Sequence, residues 1–314
     1  MSILEIKNLK KYYDNPRGLL HAVDDVTLSI NEGEILGVVG ESGCGKSTLG
    51  RVLLRLIEPT SGEISFSGTD IVALNKRDMK KMRTRMQMIF QDPYSSLDPR
   101  MSVSQLISEP LYIYNVYRNK KEAGERVDEL MKTVGLDYRY KNAYPHELDG
   151  GRRQRIGIAR ALALEPDLIV CDEPVSALDV SIQAQILNLL QDLREERRLT
   201  YIFITHDLSV VYHLTNNICV MYLGRIVEYC ESKELFNNTM HPYSQALLSA
   251  IPSTDIHNRK ERIILKGEVQ SPIDPPDRCR FAPRCNSATS ECFASEPPLK
   301  EMSPGHLVAC HKLK

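Results

Sequence analysis

Apolar and polar residues alternate over positions 3–8 and again over 23–30, the two-residue period of half-buried antiparallel strands. Positions 35–39 break that rhythm with a short, fully apolar run, the pattern of a central strand covered on both faces. A glycine-rich turn follows. Beyond it, Leu49, Val52, Leu53, Leu56 and Ile57 fall at the i, i+3, i+4, i+7, i+8 spacing of one buried helical face. Two further buried strands are predicted at 168–171 and 201–204, separated by a helical run over about 181–197. Strands that alternate with helices predict a parallel α/β sheet. The stretch from about 98 to 165 is long, charged and helix-patterned, so it reads as a helical insertion between core strands. From about Pro252 the pattern changes again: Pro272, Pro275, Pro276, Pro283, Pro297, Pro298 and Pro304 crowd a loop-rich stretch that is too small to build a core alone.

Composition narrows the class. The 314 residues are 42% hydrophobic and 26% charged, as in ordinary globular proteins. A formal net charge of −1 supplies no basic field, so nucleic acid is not an expected partner. No apolar run approaches the roughly 20 residues that span a bilayer. The opening residues contain Glu5 and alternate like a strand, unlike a secretory signal. A cytoplasmic location is therefore expected, with any membrane association made through a partner. Of the eight cysteines, Cys44, Cys171, Cys219 and Cys230 are scattered, whereas Cys279, Cys285, Cys292 and Cys310 share the tail. A reducing compartment favours a metal or cluster there over disulfides.

The clearest chemistry is Gly40-Glu41-Ser42-Gly43-Cys44-Gly45-Lys46-Ser47-Thr48, which matches G-x-x-x-x-G-K-[ST]. Glycines let backbone N–H groups curl around phosphate oxygens, and the helix that follows points its positive end at them. Lys46 is expected to reach the β- and γ-phosphates of a nucleotide and Ser47 to ligate Mg2+. A chance glycine-rich turn has the same composition, but the buried strand before and the amphipathic helix after are the context a phosphate loop needs. The strand ending Leu168-Ile-Val-Cys171-Asp172-Glu173 supplies two carboxylates. Asp172 is expected to orient Mg2+ and Glu173 to act as the general base on water. A solvated strand end is the alternative for an isolated Asp-Glu pair.

In this order the motifs resemble those of ABC-transporter nucleotide-binding subunits, over about residues 1–240. Phe90-Gln91-Asp92-Pro93 is similar to the Q-loop, whose glutamine in that family touches Mg2+ and senses the transmembrane partner. Ser176-Ala177-Leu178-Asp179 resembles the D-loop, and His206 in Ile204-Thr-His-Asp207 resembles the switch histidine that contacts the γ-phosphate. Tyr13 looks like the aromatic residue that stacks on adenine, with Tyr12 as the alternative. Tyr144-Pro-His-Glu-Leu148, the 90–99 segment, His241-Pro-Tyr-Ser and the tail from Cys279-Arg-Phe-Ala-Pro-Arg-Cys285 to Cys310-His311 resemble the oligopeptide/dipeptide/nickel importer branch. The segment 49–56 is more similar to the second ATPase of such systems than to the first.

The resemblance implies an α/β P-loop NTPase (RecA-like) parallel-sheet core, with an antiparallel β-subdomain, a helical insertion and a small cysteine-rich C-terminal appendage. It implies a nucleotide-binding domain over 1–250, with a helical subdomain at about 98–165, and a C-terminal region over 251–314. The expected function is ATP hydrolysis that energises uptake of peptides through a membrane permease complex, by closure of a head-to-tail ATPase dimer. Import of nickel or another metal chelate is the alternative cargo. A soluble ABC ATPase of DNA repair or translation is a more distant reading, because the chain lacks inserted coiled coils and a second set of motifs. Expected partners are a second ATPase subunit, a different paralogue, two integral-membrane permeases and an extracytoplasmic solute-binding protein. The expected location is the cytoplasmic face of the membrane.

The family signature Leu-Ser-Gly-Gly-Gln, which completes the partner subunit's ATP site, here reads Leu148-Asp149-Gly150-Gly151-Arg152. An ionised Asp149 only accepts hydrogen bonds, and unit charges ~4 Å apart repel by about 4 kcal/mol at an effective dielectric of ~20. Arg152, three residues on, can neutralise it across one helical turn. A compensated variant and a weakened composite site both fit, and the weakened site is the expectation. Cys279, Cys285, Cys292 and Cys310 are separated by five, six and seventeen residues, without the short C-x-x-C pairs of most zinc sites. Four thiolates suit Zn2+ or an iron–sulfur cluster, the resemblance points to [4Fe–4S], and unligated cysteines are the remaining possibility.

Overall fold

The fold described here is that of a computed structural model, which covers residues 2–117, 119–251, 262–268 and 270–313. The composition change at about Pro252 lies outside the described residues. The chain divides into two compact units, one formed by residues 1–73 with 203–314 and one by 74–202.

The first unit opens with β1 (Ser2–Asn15) and β2 (Gly18–Asn31), an antiparallel pair in which Leu4 faces Ile30 and Ile6 faces Leu28. Their alternation is the one read from the sequence: Leu4, Ile6, Val26 and Ile30 are buried while Glu5 and Ser29 are exposed. After β3 (Ile35–Val39) and α1 (Lys46–Leu53) come β4 (Ser61–Phe66) and β5 (Thr69–Asp70), which extend the antiparallel sheet in the order β2-β1-β4-β5.

The second unit holds α2 (Lys76–Arg85), β6 (Met86–Ile89), α3 (Val103–Ile113), α4 (Lys120–Thr133), α5 (Gly150–Leu162), β7 (Leu168–Asp172) and α6 (Val180–Arg197). β6 and β7 pair in parallel, Met86 beside Leu168 through Ile89 beside Cys171. Between them in sequence lie the helices α3, α4 and α5. β8 (Thr200–Thr205) carries the division between the units within it.

The rest of the first unit comprises α7 (Leu208–Leu214), β9 (Asn217–Tyr222), β10 (Arg225–Glu231), α8 (Ser232–Asn237), α9 (Pro242–Ser249), α10 (Ser290–Ala294), β11 (Lys300–Ser303) and β12 (His306–Val308). β3 pairs in parallel with β9, but β10, β12 and β11 continue outward as antiparallel neighbours. The sheet is therefore mixed, where the sequence pattern predicted a parallel one. The cause is local. β9 and β10 are joined by Leu223 and Gly224, both at positive φ (44° and 84°), and a two-residue turn of that kind forces its strands antiparallel.

The tail is woven into this unit. Phe281 sits in one hydrophobic core with Val39, Val220, Tyr222 and Tyr243, and Cys279 and Cys285 pack against that core. Ile273 bridges to Leu20, and the N–H of His21 donates to the Pro272 carbonyl at 2.9 Å. Among the described residues, no helix is long and apolar enough to cross a membrane.

Candidate functional site

In the first unit, the apolar strand β3 runs straight into the loop 40–48. Gly45, at φ 103°, caps α1, and a Cβ there would lie 2.0 Å from the Ala22 carbonyl oxygen, so only glycine fits. The Lys46 side chain is buried and folds over the loop: Nζ donates to the carbonyls of Gly40 at 2.8 Å and Glu41 at 3.0 Å. The ammonium is thus held by two backbone carbonyls of the loop, with Ser47 and Thr48 in the first turn of the helix. Ser42 and Gly43 are exposed at the crest, whereas Cys44 is buried and burial pushes its thiol upward, so it stays protonated as a small core residue.

The same unit carries the aromatic candidates and the histidine. Tyr12 is already engaged. Its ring stacks on His21 with centroids 3.9 Å apart, and its hydroxyl donates to Asp24. Tyr13, with Lys11 Nζ 4.8 Å from its ring centroid, keeps a half-exposed ring. Asp24 is 3% exposed. Burial works against its charge, but the Tyr12 hydroxyl, Arg225 and Arg280 together hold its carboxyl well below the usual range. His206 is exposed just beyond β8, next to Asp207, whose N–H donates to Thr205 Oγ1 at 3.0 Å and whose carboxylate caps α7.

The second unit brings two more predicted residues together. Gln91 Nε2 donates to Glu173 Oε2 at 2.9 Å. Glu173 is half-buried and sits at φ 45°, a left-handed conformation unusual for a non-glycine residue and common where a side chain is aimed for chemistry. The hydroxyl of Ser176 donates back to the Glu173 carbonyl at 3.2 Å. Asp172 ends β7 with no exposed surface. The Gln91 amide and Asp172 carboxylate of this unit offer hard oxygen donors, the type that suits Mg2+.

The signature and D-loop residues also lie in this unit. Leu148 is buried, and Asp149 is the N-cap of α5, its Oδ1 accepting the Arg152 N–H at 2.8 Å. The Arg152 guanidinium pairs with the other carboxylate oxygen and lies 4.7 Å from the Tyr140 ring centroid. A Leu178 methyl packs over Gly150, beside Gly151 at the start of α5. Gln183 Nε2 holds the D-loop by donating to the carbonyls of Val175 and Leu178, each at 3.0 Å, while Ala177 and Ser176 are exposed and Asp179 caps α6.

The four tail cysteines lie in the first unit. The N–H of Cys279 donates to the Cys292 carbonyl at 3.1 Å, and the Thr289 N–H and hydroxyl lie 3.5 and 3.4 Å from Cys292 Sγ. Burial raises the Cys279 thiol to about 11 and moves Cys285 the same way, while N–H groups of Phe281, Ala282 and Ser287 pull in the other direction. Cys279 and Cys285 each lie within electrostatic reach of Cys292 and Cys310. Among the described residues, no group of three or more His, Cys, Asp or Glu side chains is arranged to hold a single metal ion. A cluster makes a different demand, because its ligands bind separate irons and need not converge on one point.

Two contacts on the phosphate loop escaped the sequence reading. The Glu41 N–H donates to the Tyr243 hydroxyl at 2.8 Å, and the Glu41 carboxylate is gripped by Arg284. Tyr243 and Arg284 both lie in motifs singled out for family resemblance, His241-Pro-Tyr-Ser and Cys279–Cys285. No local spacing linked either motif to residue 41.

Comparison with known proteins bears on the chain as a whole. Residues 23–176 match the family model described as ABC transporter, and residues 227–292 match the one described as oligopeptide/dipeptide transporter, C-terminal region. The oligopeptide transport ATP-binding protein AppF of Bacillus subtilis (strain 168) is 50% identical over 320 residues, covering 99% of this chain and 97% of AppF. The dimeric structure of MJ0796, a bacterial ABC transporter cassette, is 31% identical with a TM-score of 0.67, over 73% of this chain and 98% of that one. The structure of cbiO1 from Clostridium perfringens, part of the ABC transporter complex cbiONQ, has the same identity and TM-score, over 76% of this chain and 91% of its own.

Proposed function

This chain belongs to the ABC transporter family, and from that membership we propose that it hydrolyses ATP to energise peptide uptake through a membrane permease complex. The observation that carries the hydrolytic reading is the Gln91–Glu173 hydrogen bond at the end of β7, beside the buried Asp172. Loop 40–48 binds the triphosphate, with Lys46 turning from the Gly40 and Glu41 carbonyls to the β- and γ-phosphates. Ser47, Gln91 and Asp172 hold Mg2+, which neutralises phosphate charge when bound. Glu173 takes a proton from the attacking water and His206 contacts the γ-phosphate. Tyr13 stacks on adenine, since Tyr12 is committed to His21 and Asp24. The name of AppF supports peptides as the cargo class.

Residues 1–250 serve as the nucleotide-binding domain and 251–314 as a C-terminal region in which Cys279, Cys285, Cys292 and Cys310 hold a [4Fe–4S] cluster; a single Zn2+ is the less favoured alternative, because the four side chains are not arranged around one point. What supports this reading is the electrostatic coupling of Cys279 and Cys285 to Cys292 and Cys310 and the backbone N–H groups beside Cys279, Cys285 and Cys292. Its role is to staple a proline-rich segment, and loading it displaces the protons that burial retains on Cys279 and Cys285. The protein works at the cytoplasmic face of the membrane, held by two permeases that an extracytoplasmic solute-binding protein supplies. Its ATPase partner is a different paralogue. Residues 148–152 then complete the partner's ATP site, where Asp149 makes that site the weaker of the two.

The test is Glu173→Gln in the assembled transporter. ATP turnover should fall about a hundredfold or more while nucleotide binding persists. Near-normal turnover in that variant would remove Glu173 from the role of base.

A further inference from the structure

Glu41 is the second residue of the phosphate loop, and its main chain belongs to the cradle: the carbonyl accepts from Lys46 and the N–H donates to Tyr243. Its side chain is a carboxylate in a loop that receives a polyanion. Arg284 Nη1 and Nη2 hold the two oxygens of that carboxylate at 2.6 and 3.1 Å, a two-pronged ion pair spanning 243 positions of sequence. The Arg284 side chain is 9% exposed and that of Glu41 28%, so the pair is largely shielded from salt.

Arg284 comes from the tail. It ends the short turn Ala282–Arg284, directly before Cys285. The buried Phe281 anchors that turn from one side, and the Arg284 N–H donates to the Phe281 carbonyl at 3.0 Å. At the other end of the segment Arg280, directly after Cys279, binds Asp24 and the Leu223 carbonyl. The cysteine segment is therefore pinned to the nucleotide-binding unit by two arginines, each adjacent to a cysteine.

We infer that Arg284 is a positioning residue for ATP: it neutralises Glu41, removes a carboxylate charge from the phosphate loop, and so lets the cysteine-rich tail set the affinity for a nucleoside triphosphate. This rests on the reading of loop 40–48 as the ATP site. Because coupling is reciprocal, a bound triphosphate also strengthens the docking of the tail.

The experiment is titration of the full-length protein with the non-hydrolysable analogue adenylyl imidodiphosphate and Mg2+, with thermal unfolding as the control for fold. Binding by the unmodified protein that is lost in Lys46→Ala upholds the ATP site, and no binding by the unmodified protein overturns that reading itself. With the site upheld, Arg284→Gln should weaken binding about tenfold, the scale of one lost charge-assisted pair, and Arg284→Lys should weaken it less. Glu41→Gln combined with Arg284→Gln should recover most of the loss, since the unneutralised charge is gone. An Arg284→Gln variant of unchanged affinity, or a double variant as weak as Arg284→Gln alone, overturns the inference and leaves Arg284 as an anchor of the tail. Slower backbone amide exchange across 279–285 on binding the analogue, lost in Arg284→Gln, is the reciprocal signature.

Discussion

The phosphate loop and the signature region each contain a carboxylate held by an arginine, and the two pairs are built in opposite ways. Asp149 and Arg152 are three residues apart on one helical turn, with side chains 56% and 39% exposed. Glu41 and Arg284 are brought together by the packing of a distant tail and are mostly covered. An exposed local pair is worth about 0.2–1 kcal/mol, because water and salt screen it and two long side chains must be ordered. A shielded fork is not relieved by solvent when one partner is removed, and the remaining charge then costs more. The lesson is that the same chemical repair, arginine against carboxylate, gives a weak adjustment in one region and a strong dependence in the other.

Mutation and salt should separate the two pairs. The largest effect is at neither pair: Glu173→Gln should stop turnover while sparing binding, and it should do more damage than the equivalent change in the partner ATPase. Equal losses from the two glutamate variants, read as steady-state ATPase rates of the assembled transporter, would sink the idea of unequal sites. Next in size is the roughly tenfold loss of nucleotide affinity in Arg284→Gln. Removing tail metal should follow in the same direction and by no more than that, because it loosens the segment that carries Arg284. Anaerobically purified protein should be brown, with about four irons per chain, and nucleotide titration before and after chelation reads the coupling. One zinc and no iron would replace the cluster with a structural zinc site.

The smallest effects belong to the exposed pair. Arg152→Ala should lower turnover at the partner-bound site by about twofold, and Asp149→Ser should raise it. Salt separates the two pairs further. Between about 0.1 M and about 1 M ionic strength the screening length falls from ~10 Å to ~3 Å, so the Arg152→Ala effect should vanish in ATPase assays while the Arg284→Gln effect on binding survives. Loss of both effects at high salt would mean that the tail pair is as exposed as the signature pair.

What the sequence alone determined is whatever is contiguous. The strand β3, the loop 40–48 and the start of α1 were legible together, because a run of apolar residues, glycines and an amphipathic period specify backbone geometry over a few residues. The Asp149–Arg152 pair was legible for the same reason: helix geometry sets three-residue neighbours. The order of Gln91, Asp172, Glu173 and His206 gave the family resemblance, although a strand end followed by two carboxylates says nothing by itself about the Gln91 contact. Tertiary structure decided the rest. The pairing of β12 with β10 depends on where the tail lands, and Tyr243 and Arg284 reach Glu41 because Phe281 is drawn into the core beside Tyr222 and Tyr243. Burial of that aromatic cluster is a sum over residues scattered from 39 to 281, and no local period records which distant charge it will carry to the phosphate loop.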